Sequence, residues 1–76
     1  MVKMPVLNAR EVIAVLRRLG FEVDHVTGSH YIMRHSDGRR AVVPYHGGRD
    51  IKQGVLRAII RQAGVSVEEF IPGSDR

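Results

Sequence analysis

The chain has 76 residues and no cysteine, with 12 Lys plus Arg against 8 Asp plus Glu, a net charge of +4 with the histidines neutral. That length allows one small domain with a thin core, and the missing thiols exclude disulfides, thiolate metal sites and cysteine nucleophiles. The longest purely apolar run, VIAVL at 12–16, is too short to span a bilayer, and MVKMPVLNAR lacks the apolar stretch of a signal peptide. A cytoplasmic protein with no membrane partner is therefore expected. The basic excess suits a polyanionic partner, nucleic acid before an acidic protein, and suits plain solubility equally well.

In chain order, Leu7-Asn-Ala-Arg-Glu-Val12 predicts a helix start. Asn8 and Glu11 have capping-box spacing, and Leu7 and Val12 are placed as a hydrophobic staple. Val12, Ile13, Leu16 and Leu19 recur on one helical face, and Gly20 ends it. Arg17 and Arg18 fall in the last turn, where the helix dipole favours cations. Residues 21–26 alternate and predict a strand. Thr27-Gly28-Ser29 is a turn, and His30 to His35 a second strand. Asp37-Gly38 marks a hairpin turn, and Arg40 to Pro44 is a third strand, closed by a residue with no amide to donate. A loop follows at 45–49. Asp50 with Gln53 predicts a cap for a second helix, whose apolar face is Val55, Leu56, Ile59, Ile60 and Ala63, with Gly64 as its stop. Gly54 inside that helix calls for a reason, such as close approach of backbone to sheet or ligand. Ser66 with Glu69 predicts a last short turn that holds Phe70 on the core.

The fold class expected is α+β: α-β-β-β-α, a three-stranded antiparallel sheet with both helices on one face and the other face open to water. Residues 1–71 form the single domain and 72–76 a flexible tail.

Four histidines carry the chemical question. His30 and His35 differ by an odd number, so a regular strand turns them to opposite faces. His25 lies on another strand, with its register unfixed by sequence. No helical histidine pair of metal-binding spacing exists, and no metal is expected. Within the second strand Tyr31 and Met33 form the better core face. His30 and Arg34 are then left on the open face, with Ile32 between them as a modestly exposed apolar residue. An exposed imidazole with an ordinary pKa of about 6.5 suits proton transfer near neutrality; a plain surface histidine is the alternative.

The ordered series Gly28-Ser29-His30, Arg34-His35, Asp37-Gly38-Arg39, Val43-Pro44-x-His46-Gly47-Gly48, Gly54-x-Leu56-Arg57-x-Ile59-x-Arg61-Gln62-Ala63-Gly64-x-Ser66-x-x-Glu69-Phe70 resembles the HicA family, small toxins of type II toxin–antitoxin systems. The resemblance runs from about residue 7 to residue 71. It departs at Val55, where many members carry threonine, and at Asp50, where glutamate is more usual.

The resemblance implies a fold like that of a double-stranded-RNA-binding domain, metal-independent endoribonuclease activity on mRNA, no cofactor, and inhibition by a HicB-like antitoxin that masks the active histidine. That histidine maps onto His30. RNA supplies its own nucleophile, the 2′-hydroxyl; cleavage then needs a base, an acid and cations around the phosphate. His46 is a candidate second acid/base group, or a loop histidine that orders the turn. Ser29, Arg34, Arg39, Arg40, Arg49 and Lys52 are candidate RNA contacts, each alternatively a solvated surface group, and Gly28 is structural at the site. Tyr31 and Tyr45 are considered for stacking on bases. A non-catalytic RNA-binding or protein-interaction module of the same fold is the alternative. The stretch Asp50-Ile51-Lys52-Gln53, with one lysine and one acid, argues against a grip on duplex RNA.

Overall fold

The computed structural model describes residues 4–71; the tail expected at 72–76 lies outside them. Helix α1 (Ala9–Arg18) begins with the expected capping box. The Glu11 N–H donates to the Asn8 side-chain oxygen and the Asn8 N–H to the Glu11 carboxylate, both at 2.9 Å. Leu7 and Val12 lie in the core beside Ala9, Val15 and Leu16. Gly20 ends the helix at φ +99°, and a Cβ there would lie 2.7 Å from His35 Nε2. The glycine thus turns the chain and also admits the His35 ring, which meets Phe21 edge-on at 5.1 Å.

Strands β1 (Phe21–Thr27), β2 (His30–His35) and β3 (Arg40–Pro44) form an antiparallel meander in that spatial order. The turn between β1 and β2 is only Gly28 and Ser29, so Thr27 belongs to the strand. Gly28 has φ +55° as the first central residue of a tight hairpin turn, a geometry that suits the twist of the flanking strands. Pairing is regular between β2 and β3. Between β1 and β2 it shifts after Val23: Val23 pairs with Met33, His25 with Ile32, and Asp24 is the extra residue of a β-bulge.

Met33, Ala41 and Val43 face the helices and join Phe21, Leu16, Leu56, Ile59 and Phe70 in one core, with Tyr31 packed against it. The other face carries His30, Ile32 and Arg34. Ile32 differs from expectation. It is only 5% exposed yet stands outside that core. Its cross-strand partners are His25 and Val42, so with Val42 it forms a small apolar patch on the otherwise polar open face.

Helix α2 (Gln53–Ala63) buries Leu56, Ile59, Ile60 and Ala63. It lies along the outer edge of β3, where the Val42 N–H donates to Gln62 Oε1 at 3.0 Å. The expected Asp50 cap is absent. Lys52 is the N-cap residue and makes no capping bond through its side chain. The cause is long-range pairing. Asp50 forms a bridge with Asn8, and the Ile51 N–H donates to the Leu7 carbonyl at 2.8 Å. This holds 50–51 extended, buries Ile51 and delays the helix to Gln53. The Gln53 side chain instead donates to the Pro5 carbonyl at 3.1 Å. Gly64 ends α2 at φ +70°, and a 3-10 turn over Val67–Phe70 buries Phe70. Among the described residues no helix is long and apolar enough to cross a membrane.

Candidate functional site

An open groove of about 660 Å³ runs between α2 and the β3 edge. Its wall on the helix side is Gly54, Val55 and Ala58, and its sheet side is Val42 and Pro44. One end is polar: His30, His46, Arg49, Asp50 and Lys52 all line it. Gly54 has no neighbour within 4 Å of where a Cβ would sit. The expectation that it lets backbone approach the sheet therefore fails; the missing side chain leaves room in the groove.

Two local devices put the histidines there. His30 is the first residue of β2, directly after the Gly28–Ser29 turn, and it is exposed. Its cross-strand partners are Thr27 and Pro44. The Tyr45 N–H donates to the Ser29 carbonyl at 2.6 Å, which ties the loop after β3 to the β1–β2 turn. The Tyr45 ring packs on Tyr31, with centroids 5.2 Å apart. These two rings, considered for base stacking, stack on each other. His46 follows Tyr45 and is exposed at the groove.

The candidate RNA contacts divide into three groups. Arg49 and Lys52 share the groove with His30 and His46, and Ser29 adjoins it. Arg34 and Arg40 pair across β2 and β3 on the open face, about 13 Å along the strand from His30 at roughly 3.3 Å per residue. Arg34 Nε is 3.8 Å from Asp24. Arg39 faces elsewhere. Its Nε donates to Asp37, its Nη1 donates to the Ala63 carbonyl at 2.6 Å, and its guanidinium lies 5.3 Å from the Phe21 ring centre. It joins the β2–β3 turn to the end of α2.

His35 is likewise structural. The Asp37 N–H donates to its Nδ1 at 3.1 Å while its ring packs on Phe21. The Arg39 N–H, then the Arg39 side chain and its charge, hold the Asp37 carboxyl below its ordinary value. Asp24 is held low first by the hydrogen bond from His25, whose Nδ1 is 2.7 Å away, and then by the charge of Arg34. Among the described residues no three His, Asp or Glu side chains gather closely enough to hold a metal ion.

Sequence reasoning missed Asp50 and the Gly54–Ala58 wall as parts of this groove. Asp50 read as a cap, and nothing local signals a bridge to Asn8. Gly54 and Ala58 sit four apart on one helical face, a spacing that marks a small-residue stripe but gives no hint of what it borders.

The family model for the HicA toxin of bacterial toxin-antitoxin systems matches residues 9–65. No curated protein matches the chain. The matched stretch contains α1, all three strands, α2 and the whole polar end of the groove. With the α-β-β-β-α order and the exposed histidine that opens β2, this settles the kinship: the chain belongs to the HicA family and is the toxin of a toxin–antitoxin system, with an antitoxin as its partner.

Proposed function

We propose that this toxin is a metal-independent mRNA endoribonuclease in which His30 transfers a proton at the scissile phosphate. The observation that carries the reading is an exposed histidine at the head of a strand, on the rim of a groove that also presents His46, Arg49 and Lys52. The 2′-hydroxyl is the nucleophile, so the protein must move protons and stabilise charge. An imidazole titrates in the right range for the first task, and two cations beside it suit the second. Histidine general catalysis typically supplies about 10²- to 10⁴-fold. Arg49 and Lys52 therefore share the work, with His46 as a further polar group on the groove side and Ser29, Arg34 and Arg40 as further contacts to the strand. Arg39 contributes by holding the β2–β3 turn.

Asp50 beside these cations weakens any grip on a doubly charged duplex, so single-stranded mRNA is the better substrate. We take the partner to be a HicB-like antitoxin. An acidic segment of such a protein would complement the basic groove end and cover His30.

The test is RNA cleavage in EDTA by wild type and His30→Ala. Wild type is expected to cut, and the alanine variant to lose about 10²-fold or more. Gly54→Ala adds a steric arm: its methyl group projects into the groove and should slow cleavage while leaving the fold intact. Retained cleavage in His30→Ala removes the assignment. Binding of RNA without cleavage by either protein returns the chain to a binding module, and loss of cleavage in EDTA removes metal independence.

A further inference from the structure

His30 is not the only imidazole on the open face. His25 pairs with Ile32, and Ile32 shares a face with His30 two residues away. His25 and His30 are therefore diagonal cross-strand neighbours, a relation that sets them about 7–8 Å apart and within reach of one small group between them. The bulge produces this arrangement. In a regular strand His25 would face the same way as Val23, whose partner Met33 is in the helix-side core. The extra residue, Asp24, switches His25 to the face of His30.

The bulge does a second thing. Consecutive residues of a regular strand point to opposite sides, yet here the two side chains meet, with His25 Nδ1 2.7 Å from Asp24 Oδ2. Asp24 is ionised at neutral pH, because that bond and the charge of Arg34 keep its carboxyl low. An ionised carboxylate only accepts, so Nδ1 must carry the proton and Nε2 is the free nitrogen of the neutral ring. The His25 side chain is 52% exposed, so the ring as a whole is accessible from solvent.

We propose that His25 is the second proton-transfer group of this toxin, acting with His30 across the scissile phosphate, and that Asp24 is its positioning residue. The proposal rests on the RNA-cleavage reading above. In the step it implies, His25 Nε2 takes the 2′-hydroxyl proton while the 2′-oxygen bonds to phosphorus. The bond from phosphorus to the 5′-oxygen breaks, its electron pair leaving on oxygen. His30, entering protonated, gives that oxygen its proton. The products are a 2′,3′-cyclic phosphate and a 5′-hydroxyl, and the two rings reset by exchange with water. As in other carboxylate–histidine pairs, Asp24 fixes the ring and stabilises the imidazolium as it forms. Ile32, buried and paired with His25 across the strands, adds an apolar neighbour on the same face. The charged groups on this face are Glu22 and Asp24 on β1, His30 and Arg34 on β2, and Arg40 on β3. β1 is an edge strand, and among the described residues no further strand faces His25 from its outer side.

The pH–rate profile of the whole chain on a single-stranded RNA tests this, with His25→Gln, His25→Asn, Asp24→Asn and His30→Ala beside wild type. Wild type should give a bell with two limbs. Both His25 variants should lose one limb and about 10²-fold in kcat with KM little changed. Asp24→Asn should keep both limbs and fall less far. Cooperative melting close to the wild-type temperature shows that each exposed change leaves the fold intact. If the His25 variants keep both limbs and wild-type kcat while His30→Ala is inactive, the proposal falls and the nuclease reading stands. If wild type cuts no RNA, both fall.

Discussion

The two edges of the sheet solve one problem in different ways. Each presents unpaired backbone amides that invite another strand. At β3 the edge is covered: α2 lies against it, and Gln62 takes the Val42 N–H. At β1 no strand or helix among the described residues pairs with the outer side, and Val23 and Val26 remain exposed at 39% and 49%. That edge is interrupted by the Asp24 bulge, with Glu22, Asp24 and His25 among its side chains. Covering an edge creates a groove, because a round helix cannot seal against a flat strand over its whole length. Bulging an edge re-aims side chains. The same physical need therefore yields a cleft on one side of His30 and a reoriented histidine on the other.

Three changes test that contrast, from the largest effect to the smallest. Leu56→Ala removes a fully buried side chain that holds α2 in the core. A loss of about 2–5 kcal/mol is expected from the urea midpoint, with the β3 edge exposed as α2 loosens. A small loss would mean that Arg39 and the Pro5–Gln53 contact hold the helix without it. Gln62→Ala leaves α2 in place but strips the Val42 amide of its partner. It should cost about 1 kcal/mol and speed hydrogen exchange at Val42 alone among the β3 amides; an unchanged Val42 rate would show that the contact does not protect the edge.

Asp24→Asn acts on the bulged edge. Asp24 has a depressed folded-state pKa, owing first to the His25 hydrogen bond and then to Arg34. Its stabilising contribution is therefore full above the unfolded value of about 3.9 and is lost as pH falls through the folded value. A small drop in Tm at pH 7 should accordingly vanish toward pH 3. A drop that persists there would point to geometry, not charge.

What was legible in the sequence was what local rules decide. The capping box of α1 needs only Asn8 and Glu11. The core face of β2 follows from Tyr31 and Met33 by parity, and parity also brought His30 to the surface. The errors arose where distant segments intervene. Asp50 was spoken for by Asn8, forty-two residues earlier in the chain. For Arg39, a candidate phosphate contact or a solvated charge by sequence, no local pattern shows that its guanidinium reaches the Ala63 carbonyl. The Asp24 bulge left no local mark, since no glycine or proline flags it, and with it went the face of His25. Ile32 read as exposed because a single-strand pattern does not show what the neighbouring strands carry.

The groove has one more consequence. Apart from His30, its walls come from residues 42–62, and the segment leading into α2 is pinned by a partner near the start of α1. The three strands pair through short turns, whereas the bridge from Asn8 to Asp50 must close a loop of about forty residues. Local pairs form sooner than distant ones, so a refolding chain should assemble its sheet first and its cleft last.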